Sequence, residues 1–172
     1  MAPKLATADR VDRAQLLEFI RPRHRGTLVT RRKDGSLQMS PVTCGVDNDG
    51  RIVISTYPQR AKTRNAKRDP RVSVLILGDE FNDAYVQVDG TAEVLDMPAA
   101  EDAFVEYFRN ISGEHSDWAE YRAAMRLQNK SLIRVTPTRW GPIATGGFPA
   151  EVAARLDSAD QQRADEEKAE SE

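Results

Sequence analysis

Ser55-Thr56-Tyr57-Pro58-Gln59-Arg60-Ala61-Lys62-Thr63-Arg64-Asn65 is the stretch on which the reading turns. It opens as the end of a strand, in two hydroxyls. It turns at Tyr57-Pro58 and continues into residues that a helix accepts, until Asp69-Pro70 stops it. What flanks this unit decides the fold. Upstream, residues 26–32 are rich in Thr, Leu and Val, Asp34-Gly35 signals a hairpin turn, and Leu37–Val46 reads as the return strand. A second turn at Asp49-Gly50 leads into residues 51–56, where Ile52 and Ile54 alternate with Val53 and Ser55. Downstream, Arg71–Leu77 and residues 85–95 read as strands joined by a polar loop around 79–83, and residues 131–136 read as the last strand. Two Asp-Gly turns between β-rich runs predict an antiparallel meander. No glycine-rich dinucleotide fingerprint is present, which disfavours a Rossmann domain. The expected fold is mainly β: an antiparallel barrel of roughly six strands, with short helices over its ends.

The helical signals are local. Val11, Leu16, Leu17, Phe19 and Ile20 recur at helical spacing, with Asp9 as a candidate N-cap. Pro98 suits a first helical position. Phe104, Phe108 and Ile111 follow on one face, and Gly113 suits the residue after the end. Ser116 is the candidate cap of a further helix carrying Trp118, Tyr121 and Met125 on one face. The expected organisation is a flexible N-terminus over 1–10, one barrel domain over 11–149 that holds any ligand site, and a polar tail over 150–172, helical or disordered. That tail has only Val152 and Leu156 as larger apolar residues.

With 25 Lys plus Arg against 27 Asp plus Glu, the net charge is −2, so nothing draws the chain as a whole to nucleic acid or anionic membranes. Cys44 is the single cysteine, which excludes an intrachain disulfide and a cysteine-built zinc site. It reads as a small core residue. The N-terminus has no apolar leader and no run approaches a membrane span; the reading is a soluble, cytoplasmic protein.

The helix start at Arg60 is the candidate site. Free N–H groups and the positive end of the dipole favour an anion there, yet Arg60 and Lys62 are cations in a place where carboxylates are preferred. An anion such as a phosphate, held by Arg60, Lys62 and Thr63, rationalises them. A solvated basic face with no ligand fits the same pattern. Nucleic acid fits less well, because no aromatic residues interleave with the basic ones.

Arg60-Ala61-Lys62-Thr63-Arg64-Asn65 followed by Arg68-Asp69-Pro70-Arg71, with Ser40-Pro41-Val42 upstream, resembles the pyridoxamine 5′-phosphate oxidase-like superfamily of split barrels. The later run from Tyr107 through Trp118, then Tyr121-Arg122 and Met125, is similar to the B group of F420-dependent flavin/deazaflavin oxidoreductases. The resemblance implies a split barrel, a homodimer, and cofactor sites at the dimer seam. Carried over by position, Arg60, Ala61, Lys62 and Thr63 would bind the phosphate of coenzyme F420. Ser55 and Thr56 would lie beside the phosphate or the ribityl-derived chain. Gln38, Met39, Ser40 and Pro41 would line the deazaflavin ring. Tyr85, from one subunit or the other, would lie near the cofactor; as a residue it could equally donate a proton or hold a cross-strand position. The implied activity is hydride transfer from reduced F420 to an activated double bond of a small organic substrate. An FMN-dependent oxidase of the pyridoxamine phosphate type is the enzyme alternative, and a non-catalytic F420-binding or storage protein is the other. The cofactor carries the hard step, so no triad or metal motif is required. His24 and His115 form no constellation and read as structural or exposed. Trp118 and Trp140 read as packing residues, with the pocket border as the alternative for Trp140.

Overall fold

A computed structural model describes residues 3–80 and 82–170. In chain order the elements are β1 (Thr7–Asp9), α1 (Arg13–Ile20), β2 (Arg25–Arg31), β3 (Leu37–Val46), β4 (Ile52–Thr56), α2 (Ala61–Arg68) and β5 (Arg71–Leu77). Then come β6 (Val86–Asp96), α3 (Glu101–Ser112), α4 (Trp118–Leu127), β7 (Ser131–Trp140), β8 (Ile143–Thr145) and α5 (Ala150–Glu170). Six strands close into an antiparallel barrel in the order β2-β3-β4-β7-β6-β5, and β1 and β8 form a separate ribbon.

Alternation explains the barrel. Val72, Val74 and Ile76 of β5 point inward with Leu28 of β2 and Val86 and Val88 of β6. Strands β4 and β7 are covered on both faces. Ile52, Ile54, Ile133 and Val135 fill the barrel. Val53 and Leu132 pack outward under the α3–α4 hairpin, against Phe104, Tyr121 and Met125. That double burial is why the β4 sequence is apolar almost without interruption. Both Asp-Gly turns place glycine in the left-handed region, Gly35 at φ +83° and Gly50 at φ +76°.

Two helices close the barrel. Leu16 and Ile20 of α1 are buried in its core. Strand β3 pairs with β4 only over Cys44–Val46, whereas from Leu37 to Thr43 it pairs with β2 alone. The wall is therefore split between the first half of β3 and β4, and α2 packs against β2, β3, β6 and β7. A buried polar chain fixes it there: Asn65 Nδ2 donates to Thr30 Oγ1 (3.1 Å), and Thr30 Oγ1 donates to Gln38 Oε1 (3.0 Å).

Several local expectations are corrected. The N-cap of α1 is Asp12, not Asp9: Asp12 Oδ1 accepts from Gln15 N–H (2.9 Å) and Gln15 Oε1 accepts from Asp12 N–H (3.0 Å), a reciprocal capping box. Asp9 instead lies in β1, inside the segment expected to be flexible; β1 pairs with β8, and Ala6 N–H donates to Phe148 O (3.0 Å). Asp117, not Ser116, caps α4, accepting from the N–H groups of Ala119 and Glu120. Pro98 follows a cis peptide and α3 starts only at Glu101. Strand β7 runs past residue 136 to Trp140, across a register shift at Asp89/Gly90, where a Cβ on Gly90 would meet the Thr136 carbonyl. Tail residues 150–170 form α5, in which Ala153 is buried while Val152 and Leu156 are exposed. Residues 1–2 and 171–172 of the expected terminal segments, and Phe81 of the polar loop, lie outside the described residues. Among the described residues no helix is long and apolar enough to cross a membrane.

Candidate functional site

The end of β4 and the start of α2 border an open depression of about 460 Å³. It is lined by Ser40, Pro41, Ser55, Thr56, Tyr57, Arg60, Lys62 and Lys130. It lies where the barrel wall is split: β3 supplies one side, the β4–α2 turn the floor, and the start of β7 the other side. The turn is held internally. Thr63 Oγ1 donates to the Tyr57 carbonyl (2.8 Å), which leaves Thr56 Oγ1 to donate to Thr63 Oγ1 (3.1 Å). Arg60 is the extended N-cap of α2 and makes no side-chain cap bond. Lys62 follows two residues later, half-buried.

Of the residues expected at the site, Ser40, Pro41, Ser55, Thr56, Arg60 and Lys62 come together in this depression. The others are placed differently. Thr63 is fully buried, and its hydroxyl is spent on the turn, so it shapes the site from beneath. Gln38 sits behind Ser40: its Nε2 donates to Ser40 Oγ (2.6 Å) and to Met39 O (2.7 Å), orienting the Ser40 hydroxyl. Met39 is 64 % exposed, beside the similarly exposed Leu37 two residues away. Ala61 borders a neighbouring basic hollow with Arg32, Lys33, Arg64, Asn65 and Arg68. Tyr85 is exposed and pairs with Ala144 just before β6, whereas Asp96 at the far end of β6 aligns with Ser131 and so with Thr56. Within one chain Tyr85 is thus remote from the depression. Tyr57 and Lys130 were not singled out from sequence. Lys130 is separated from Tyr57 by more than seventy positions, and only the pairing of Thr56 with Ser131 sets the two face to face.

The depression is electropositive. Among the described residues none of Arg60, Lys62 and Lys130 has a carboxylate partner. Partial burial pulls the Lys62 ammonium below the usual lysine range, and the Arg60 guanidinium pushes in the same direction. Lys67, one turn further along α2, is different: it is ion-paired with Asp96. Elsewhere the chemistry-bearing side chains have structural roles. Burial pushes the Cys44 thiol up to about 12. His24 Nδ1 lies 3.0 Å from the Cys44 carbonyl. His115 Nδ1 accepts from Asp117 N–H, and its ring packs against Phe108, Trp118 and Tyr121. Trp140 donates to the Val11 carbonyl and joins the barrel core, away from the depression. No group of three or more His, Cys, Asp or Glu able to hold a metal occurs among the described residues.

A cation-lined hollow at a split barrel wall is what known proteins of this shape can be compared with. A conserved hypothetical protein of Mycobacterium tuberculosis is similar at 26 % identity over 80 % of this chain and 87 % of its own, with a TM-score of 0.64. A structure named F420 Reductase matches at 22 % identity over 72 % of this chain and 94 % of its own, TM-score 0.54. A putative pyridoxamine 5′-phosphate oxidase of Listeria innocua matches at 19 % over 76 % and 97 %, TM-score 0.56. The last two likenesses show the fold and not an activity. The sequence model of the pyridoxamine 5′-phosphate oxidase family matches residues 13–144, and the chain belongs to that family.

Proposed function

We propose that this protein is an oxidoreductase that holds a flavin-type cofactor, coenzyme F420, by its phosphate at the start of α2. We propose further that it works as a homodimer in reducing an activated double bond, such as a conjugated enone or an imine-like bond, of a small organic substrate. The observation that carries this reading is the convergence of Arg60, Lys62 and Lys130, without counter-ions among the described residues, beside the hydroxyl-bearing Ser40, Ser55 and Thr56. A phosphate fits that donor set: Arg60 and Lys62 supply charge, and Ser40, already accepting from Gln38, has its proton free to donate. The deazaflavin, when bound, supplies hydride transfer. The chain's own part is to bind, orient and exclude water. Ser40 and Pro41 on β3 border the side on which the ring would lie. Met39 projects outward from the same strand, and Tyr85 would reach the site only from a second copy. The resemblance of the Tyr107-to-Trp118 run to the F420-dependent B group favours F420. The buried, free Cys44 fits a reducing, cytoplasmic setting.

FMN is the second reading, since three cations also suit the doubly charged phosphate of a monoester. Titration of the purified protein with F420 and with FMN separates the two. The expected result is tighter binding of F420, followed by reduction of enones with reduced F420. Tight F420 binding with no turnover across a broad enone panel would make the protein a binding or storage protein; failure to bind either cofactor would overturn the proposal. Lys62→Ala should weaken binding by roughly ten- to a hundred-fold, the value of a charge-assisted contact. Lys67→Ala, whose ammonium already serves Asp96, is the control and should bind almost normally.

A further inference from the structure

We propose that Lys130 is a third arm of the phosphate site, reaching it from the α4–β7 turn and moving off the Tyr57 ring when a phosphate ester binds. The inference rests on the site reading above. Helix α4 ends at Leu127, and Asn129 then takes the left-handed conformation (φ 48°), the only non-glycine residue to do so among those described. That turn delivers Lys130 to the start of β7. Because Ser131 pairs with Thr56, Lys130 stands across from Tyr57. Its ammonium lies 5.5 Å from the centre of the Tyr57 ring, and the Tyr57 hydroxyl points to Gln128 Oε1 (3.5 Å) in the same turn.

Among the described residues no carboxylate is ion-paired with Lys130. The nearby Asp96 has both oxygens engaged, Oδ1 by Ser131 Oγ (2.6 Å) and Oδ2 by Lys67. A cation 5.5 Å from the centre of a half-buried ring gains less than one donating to a phosphate oxygen. With the depression lined by Arg60, Lys62 and Lys130 together, a bound anion therefore draws the third ammonium inward. The consequence is structural as well as energetic. Arg60 and Lys62 stand at the start of α2, whereas Lys130 follows the end of the α3–α4 hairpin. Phosphate binding through all three would tie that hairpin to the barrel opening.

The test uses FMN and coenzyme F420 as probes on the full chain, in fluorescence titrations at low and high salt. Lys130→Ala and Lys130→Gln should each weaken the tighter probe about tenfold. Lys130→Arg should bind nearly as the parent does. The gap should narrow at high salt, as expected for a partly exposed charge. Lys33→Ala, an exposed lysine outside the depression, should be unchanged. Amide exchange at residues 129–131 should slow on binding in the parent and not in Lys130→Ala. If Lys62→Ala loses binding while Lys130→Ala and Lys130→Gln retain it, the Lys130 proposal falls and the site stands. If neither lysine matters, the site reading itself falls. Equal loss in Lys33→Ala would mean a diffuse positive field, and a loss in Lys130→Arg as large as in Lys130→Ala would mean that the charge at this position is not what binds; either result would overturn the proposal.

Discussion

Lys62 and Thr63 are adjacent on α2 and have opposite fates, and the difference can be measured. Thr63 is buried and donates to the Tyr57 carbonyl, so Thr63→Val removes that bond and leaves the Thr56 hydroxyl unpartnered, while the Tyr57 carbonyl keeps only the Arg60 N–H. The expected loss is about 1–3 kcal/mol of stability, read by denaturant melts. Lys62→Ala should leave stability unchanged or slightly raised, because partial burial and Arg60 already disfavour its charge. The sign of the pH effect follows from the same fact. Since the folded-state pKa of Lys62 lies below its unfolded value, the unfolded chain holds more protons between the two values. Stability of the empty protein therefore rises with pH across that alkaline window. A bound phosphate favours the ammonium and reverses the shift. Affinity should then fall as pH climbs through the empty-site pKa of Lys62, and Lys62→Arg, which does not titrate there, should remove that slope. Arg60 and Lys62 could be read from sequence because cations at a helix start break a local rule. Thr63's inward orientation could not, since it depends on a hydroxyl-to-carbonyl bond inside the turn. Lys130 could not either, since strand register alone brings it to Tyr57.

At the scale of elements, the strands were legible where one face is buried and the other is not. Arg71–Leu77 is bounded as expected because Val72, Val74 and Ile76 alternate without exception. The ribbon of β1 and β8 left no such trace: all three residues of β1 are exposed and none of β8 is fully buried, so no period marks them. Helix starts went astray for a different reason. Asp9 and Asp12, or Ser116 and Asp117, are equally good caps by type, and only the donor geometry chooses between them. That choice is testable. Asp117→Ala removes two accepted N–H bonds and should cost about 1 kcal/mol, while Ser116→Ala should cost nothing measurable in the same thermal melts. Equal effects would mean that α4 is held by its packing under Phe104 rather than by its cap. The tail belongs to this scale too. With Ala153 the one buried side chain among residues 150–163, truncation after Ala150 should leave the melting temperature nearly unchanged.

Over the whole molecule, the barrel is closed by pairing yet opened at one seam, and the seam is where the cations gather. The proposed dimer bears on that seam. Tyr85 sits at the opposite end of β6 from the depression, and Leu37 and Met39 leave apolar side chains 48 % and 64 % exposed on the outer wall. Beside them, Val29, Leu37, Ser73, Gln87 and Asp89 border a surface hollow of about 550 Å³ across β2, β3, β5 and β6. A second copy seated on this wall would cover Leu37 and bring a partner's residues toward the split. The protein is therefore expected to scatter light as a dimer at micromolar concentration, with or without the tail beyond Ala150. Leu37→Glu places a charge in that wall without touching the depression. It should shift the mass toward one chain and weaken cofactor binding by about tenfold or more, because a shared site loses one of its sides. A Leu37→Glu monomer that binds the cofactor as tightly as the parent would place the whole site within one chain. It would also leave Tyr85 a cross-strand residue and nothing more.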